Sequence, residues 1–173
     1  MSNPGELEKL QQDWNDLAEL DPMWAIASIH GKEFNKWDPK EFFLSGRTHI
    51  AEALSIVKQS GVELIKESAL DFGCGMGRLT QALAEEFEVC YGVDISPRMV
   101  ELAKQFNHFG DRCKCILNSR SDFEIFESNF FDFIYTAEVL QHIPPDLARN
   151  YLRKCLKSHI LANLRAINRI IAA

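Results

Sequence analysis

The stretch LDFGCGMGRL, Leu70 to Leu79, sets three glycines on alternate positions directly after a short apolar run, with Asp71 two residues before the first of them. Glycines spaced this way ahead of a helix let a ligand approach the backbone closely. A dinucleotide fingerprint wants G-x-G-x-x-G. Gly73 and Gly75 fit it, but the third position is Arg78 and the last glycine comes one residue early, at Gly77. A P-loop is excluded more firmly, because no lysine followed by serine or threonine closes the turn.

Asp71 narrows the choice of ligand. A carboxylate at the end of a strand faces a diphosphate with like charge, but it favours a ligand that carries an ammonium group. Such a zwitterion would rest its own carboxylate by the amide hydrogens at the start of the following helix. Asp94, 21 residues after Gly73, ends the next apolar run, where it can accept hydrogen bonds from both hydroxyls of a ribose. A nucleoside joined to an amino acid satisfies both ends.

The pattern on either side predicts an α/β chain. Upstream, Leu7, Leu10, Trp14 and Leu17 recur at helical spacing up to Asp21-Pro22. In WDPKEFF, Asp38, Pro39 and Glu41 form a helix start, and Ile50, Ala53, Leu54 and Val57 mark one apolar face that Gly61 ends. Downstream, ALDF, VCYGVD, CKCIL and FFDFIY read as strands. The helices between and after them start at the glycine turn, at Ser96-Pro97 and at Pro145-Asp146. Near-continuous apolar strands separated by helices signify a Rossmann-like parallel sheet with helices on both faces. The division expected is a helical N-terminal lid at 1–61, a Rossmann-like core at 62–157 and a helical tail at 158–173.

LDFGCGMGRL, followed by GVDISPRMVELA and FDFIYTAEVLQHIP, resembles the class I S-adenosylmethionine-dependent methyltransferases over residues 66 to 157. The resemblance implies S-adenosylmethionine over the glycine turn. Asp71, Gly73, Gly75 and Gly77 would form the methionine end of the site, with Cys74 between them, and Asp94 the ribose clamp. Ile95 and Met99 would flank the adenine. Asp122, with Ser121 adjacent, would serve the adenine edge, although Arg120 stands near the place where some relatives carry the acid. Thr136 and Ala137 would pass beside the transferable methyl. The family sheet has about seven strands, and this chain supplies four. An incomplete sheet is therefore expected, with Phe131 to Thr136 as an exposed apolar edge. The Ile160 to Ile171 helix would cover that edge, or two chains would pair there as a homodimer, or the fragment would be poorly stable and inactive.

His142, just past the fourth strand, is the candidate general base for a small-molecule acceptor, since an imidazole titrates near neutrality; a capping or packing role is the alternative. Arg47 is either a partner of the cofactor carboxylate or a solvated helix residue. Phe42, Phe43 and Trp37 read as core.

A formal charge of −6 and a pI near 5.4 weigh against a nucleic acid or anionic membrane as partner. The opening residues lack the features of a secretory signal and no apolar run is long enough for a span, so a cytoplasmic protein is expected. Five cysteines, an odd number, predict reduced thiols, and Cys113 and Cys115 lack further ligands at zinc spacing. The leading expectation is a methyltransferase. Behind it stand a non-catalytic S-adenosylmethionine-binding relative and a nicotinamide-dependent oxidoreductase, the latter disfavoured by Asp71 and Arg78.

Overall fold

In the computed structural model, residues 4–120, 125–127 and 129–157 are described. Strands β1 (Ser68–Phe72), β2 (Val89–Asp94), β3 (Cys113–Leu117) and β4 (Phe133–Tyr135) form one sheet in the order β3-β2-β1-β4, and every neighbouring pair is parallel. The chain steps outward from β1 to β3 and then returns to the other side of β1. This puts the switch point at the C-terminal ends of β1 and β4, where open α/β sheets form their crevice. The four strands are those read from the sequence. The fourth strand is shorter than FFDFIY because the Asp132 carboxylate takes the Ser68 amide and hydroxyl, at 2.8 and 3.0 Å, just before pairing begins.

Helices α1 (Pro4–Leu20), α2 (Pro22–Ile26) and α3 (Pro39–Gln59) precede the sheet; α4 (Arg78–Leu83), α5 (Pro97–Gln105) and α6 (Pro145–Lys157) follow β1, β2 and β4. Their starts obey local chemistry. The Asp21, Asp38 and Ser96 side chains accept from the amides of Trp24, Glu41 and Met99, each with a proline in the first turn. Helix α3 runs unbroken from its Asp38 cap through the Ile50 to Val57 face. Helix α4 stops at Leu83, although the apolar stripe continues to a buried Phe87.

The sheet alternation separates two cores. Ala69, Cys90, Cys113, Cys115, Phe133 and Tyr135 pack with Ile50, Ala53 and Val57 of α3 and Leu79 and Leu83 of α4. Leu70 and Val93, on the other face, meet Leu147 and Tyr151 of α6, with Leu7 of α1 against them. Each large apolar side chain fully buried this way stabilises the fold by about 1.5–3 kcal/mol. The N-terminal helices thus share the core of the sheet.

The expected edge is present among the described residues, but its apolar side chains are not exposed. Among the described residues β4 pairs on one side only, yet Phe131, Phe133 and Tyr135 are buried. Phe133 stacks on Phe87 with ring centroids 5.4 Å apart, and the Tyr135 hydroxyl meets His49 Nε2 of α3 at 2.8 Å. The faces of β4 are therefore covered. The helix expected at Ile160 to Ile171, and with it the tail at 158–173, lies outside the described residues. Among the described residues no helix is long and apolar enough to cross a membrane.

Candidate functional site

A cavity of about 480 Å³ opens at the C-terminal ends of β1, β2 and β4. Gly73, Gly75 and Arg78 line it from the glycine turn; Asp94, Ile95 and Met99 from the end of β2 and the start of α5; and Ala137 to Val139 with Gln141 and His142 from beyond β4. The helical preface contributes Leu7, Leu10 and Trp14 from α1 and the run from Ala25 to Ser28.

The turn is built for close approach. Gly73 has φ +78° and Gly75 φ +50°, and a Cβ on either would lie 2.2 Å from Val139 Cγ2 or 2.5 Å from Ile26 Cδ1 respectively. Glycine is required there on both conformational and steric grounds. The Asp94 carboxylate braces the same turn: its Oδ2 accepts from the Gly75 amide at 2.8 Å, and its Oδ1 from the Ser96 amide at 2.9 Å. Burial raises the pKa of Asp94, while these backbone donors hold it down.

Asp71 is placed differently from its predicted neighbours. It is 1% exposed, does not line the cavity, and accepts a 2.7 Å hydrogen bond from the Thr80 hydroxyl. Burial pushes its pKa up to about 7, against the Thr80 bond and the nearby Arg78 charge. Any influence of Asp71 on a ligand is therefore exerted through the loop rather than by contact. Cys74 and Gly77 are likewise buried and outside the lining; the Gly77 amide closes the turn on the Cys74 carbonyl at 2.8 Å. Thr136 donates to the Phe72 carbonyl at 3.0 Å and leaves Ala137 at the cavity wall.

Arg47 stands apart from this group. It pairs with Glu85, Nε to Oε1 at 2.6 Å, and its side chain is 57% exposed. Ser121 and Asp122 lie outside the described residues. His142 does reach the cavity, where its ring meets Trp14 edge-on with centroids 5.3 Å apart.

Several lining residues went unread in the sequence, Arg78, Glu138 and Tyr151 among them. Arg78 counted only as a missing glycine. Glu138 adopts a left-handed conformation, φ +60°, and accepts a 2.7 Å bond from Gln141 Nε2; strain of this kind has no sequence signature outside glycine and asparagine. Tyr151 comes from α6 and donates to the Arg120 carbonyl at 2.5 Å. Its place on the apolar face of that helix was the one available hint.

Comparison with known proteins agrees with this geometry. Residues 69–159 match the family described as "Methyltransferase domain". The chain is 32% identical over 96 residues to phosphoethanolamine N-methyltransferase 2 of Caenorhabditis elegans, covering 54% of this chain and 22% of that one. It is 35% identical over 85 residues to the ubiquinone biosynthesis O-methyltransferase of Coxiella burnetii (strain Dugway 5J108-111), covering 48% and 36%. Among solved structures, phosphoethanolamine N-methyltransferase 1 of Haemonchus contortus, in complex with phosphoethanolamine and S-adenosylhomocysteine, superposes with a TM-score of 0.67 at 13% identity, over 91% of this chain and 31% of that one. Magnesium protoporphyrin IX methyltransferase from Synechocystis PCC 6803 with bound SAM gives 0.59 at 20% identity, over 89% and 72%. At these identities the structural likeness is one of fold. The chain spans 22% and 36% of the length of the two sequence relatives named. With over half of its length matched by that domain, the chain belongs to the class I S-adenosylmethionine-dependent methyltransferase family.

Proposed function

We propose that the chain binds S-adenosylmethionine in this cavity and supports methyl transfer to a small-molecule acceptor. The observation that carries the reading is the Asp94 carboxylate, set at the rim of the cavity and tied to the glycine turn through Gly75. Beyond its backbone donors it retains acceptor capacity for ribose hydroxyls. Ile95 and Met99 supply an apolar flank for a purine, and the glycines let the methionine portion lie on the backbone. Among the relatives named above are phosphoethanolamine N-methyltransferases and a ubiquinone biosynthesis O-methyltransferase, which supports a small-molecule acceptor. The bound sulfonium supplies an electrophilic methyl; the protein's share is to hold an acceptor in line and keep water out. In this reading Trp14, Leu7 and Leu10 of α1 roof the acceptor side, and His142 takes the acceptor's proton.

Melting curves with S-adenosylmethionine, S-adenosylhomocysteine and NADH test the reading. A ligand at a hundred times its dissociation constant adds about 2.7 kcal/mol of stability. A shift with the first two, lost in Asp94→Ala, is expected; a shift with NADH alone overturns it. Transfer of labelled methyl to a metabolite extract, abolished in the same variant, is the expected activity. His142→Ala is expected to slow transfer, with the loss easing at higher pH; an unchanged rate removes His142 as base.

A further inference from the structure

Cys74, in the middle of the glycine turn, is turned away from the cavity and joins a buried group of thiols. Gly92 of β2 makes room for it. A Cβ there would lie 2.8 Å from Cys74 Cβ and 2.9 Å from Cys74 Sγ, so the Cys74 side chain rests on the sheet where a strand side chain would otherwise stand. The register partner of Gly92 on β3 is Cys115, and that of Cys90 is Cys113. Strand alternation turns Cys113 and Cys115 to one face, and the Cys115 sulfur accepts hydrogen bonds from the thiols of Cys113 and Cys74. These bonds pull the Cys115 thiol well below its ordinary pKa, against the cost of burial and with some help from the Lys104 charge. Among the described residues no three His, Cys, Asp or Glu side chains are set to hold a metal ion. The chemistry this group offers is that of thiols.

We infer that Cys74 and Cys115 are a redox pair: peroxide joins them in a disulfide that ties the glycine turn to β3 and weakens ligand binding in the cavity. The effect on binding rests on the reading of that cavity as an S-adenosylmethionine site. The Cys115 thiolate attacks one peroxide oxygen, becomes a sulfenic acid and releases hydroxide, which takes the Cys74 proton. The Cys74 sulfur then attacks the sulfenic sulfur and displaces a second hydroxide, neutralised by the proton that Cys115 gave up on ionising. Two thiols thus lose two electrons, and the peroxide becomes two waters. The other pairs are worse placed. Cys113 and Cys115, two residues apart on one strand, have Cα atoms about 6.6 Å apart, near the limit for a disulfide. Cys90 and Cys113 are both fixed in paired strands. Cys74 stands on a turn, which can close the gap between a hydrogen bond and a covalent one. That movement pulls on the neighbouring Gly75 amide and its bond to Asp94. Since Cys74 and Cys115 are 4% and 7% exposed, peroxide enters only when the turn lifts, and a ligand lying on the turn holds it down. Oxidation and ligand binding therefore oppose each other by the same factor.

The test treats the reduced chain with hydrogen peroxide, with and without S-adenosylhomocysteine, and maps disulfides by differential alkylation and peptide mass spectrometry. A bridge between Cys74 and Cys115 is expected, reversed by dithiothreitol and formed about tenfold more slowly with the ligand present. Titration calorimetry of the reduced and oxidised forms is expected to show binding weakened by about tenfold on oxidation; in a glutathione redox titration, saturating ligand then raises the midpoint potential of the pair by about 30 mV. Cys115→Ala is expected to bind the ligand as the reduced wild type does and to keep that affinity after peroxide, and Cys113→Ala still to form the bridge. Circular dichroism checks folding of the variants, and the wild-type map stands without them. A bridge between Cys90 and Cys113 in its place, or oxidation to sulfinic acid with no bridge, overturns the pair. A bridge between Cys74 and Cys115 that leaves the affinity unchanged overturns its hold on the site. Failure of the reduced wild type to bind the ligand overturns the cofactor reading and the antagonism with it, whereas the disulfide map is read without any ligand.

Discussion

The Asp94 carboxylate accepts the Gly75 amide hydrogen at 2.8 Å, so one side chain at the end of β2 fixes the shape of the glycine turn that follows β1. Its second oxygen holds the Ser96 amide at 2.9 Å, at the start of α5. Hydrogen bonds to a charged acceptor contribute about 1.5–3 kcal/mol each. With the cost of burying the carboxylate offsetting part of the two bonds, Asp94→Ala is expected to destabilise the fold by about 2–4 kcal/mol, even without ligand, and Asp94→Asn by less, since one acceptor oxygen remains. Urea denaturation of the ligand-free protein decides this. Equal stability of Asp94→Ala and wild type would make the contact incidental.

Asp71 makes stability depend on pH. Its folded pKa of about 7 lies above the ordinary value of 3.8, because it is buried. A raised carboxyl binds its proton more tightly in the folded state. Its favourable contribution is complete below pH 4 and is lost as pH rises to about 7, by about 4 kcal/mol at most. Asp71→Asn, which can still accept from Thr80, is expected to flatten that fall and to exceed wild type in stability at pH 8. Denaturant midpoints at pH 4.5 and pH 8 supply the comparison, and a slope unchanged in the variant would refute the account.

The fold was legible because β1, β2 and β3 are near-continuous apolar runs and the helix starts carry local caps at Asp38 and Ser96, signals that lie within a few residues of one another. The cavity lining was legible where it follows the glycine turn and strand ends, at Gly73, Gly75, Asp94, Ile95 and Met99. It was illegible where long-range packing decides which of two side chains reaches the cavity. Arg47 and Arg78 are both cations near the turn, and only the crossing of α3 over α4 sends one to Glu85 and leaves the other inside. Asp71 shows the same limit: strand alternation points it to the α3 side, under Thr80, rather than to the rim.

That crossing is close because Gly46 has no side chain. A Cβ there would lie 2.5 Å from the Arg78 carbonyl oxygen and 2.9 Å from Arg78 Cγ. Alanine favours an isolated helix over glycine by about 1 kcal/mol, but the nearest obstacle is backbone, which cannot step aside as a side chain does. Overpacking costs about 1–3 kcal/mol. Gly46→Ala is expected to be net destabilising and to weaken ligand binding by shifting Arg78; a higher melting temperature would reverse the argument.

Helix α3 is also tied to the sheet through a polar pair, the Tyr135 hydroxyl and His49 Nε2 at 2.8 Å. Burial, then the Arg78 charge, lowers the pKa of His49, with Glu52 and Glu138 acting in the opposite sense. A base with a lowered folded pKa stabilises above its unfolded value near 6.5 and loses that contribution as pH falls. Wild type is expected to lose more stability than His49→Gln between pH 7 and pH 5. Parallel loss in both proteins would place the acid sensitivity elsewhere.

Helix α1 lines the cavity, and its polar contacts with the end of β2 and the start of α5 predict how it moves. Gln11 Nε2 donates to the Ile95 carbonyl at 2.8 Å, and Asn15 Oδ1 receives the Ser96 hydroxyl at 3.2 Å and the Arg98 amide at 3.1 Å. Across the cavity mouth Trp14 meets His142 edge-on. Asn15→Ala leaves two donors at the start of α5 without that acceptor, while the buried residues of the sheet are untouched. The expected loss is about 1–2 kcal/mol, concentrated in α1. Segments held by few buried contacts open before the core does, so hydrogen exchange in α1 should quicken in this variant while β1 and β2 amides stay as protected as before. On the proposed reading of the cavity, S-adenosylhomocysteine would bridge the β2 end and α1, so adding it should restore α1 protection. Exchange that quickens equally in α1 and β1 would mean that the helix opens only when the whole domain unfolds, and α1 would then be a fixed wall rather than a lid.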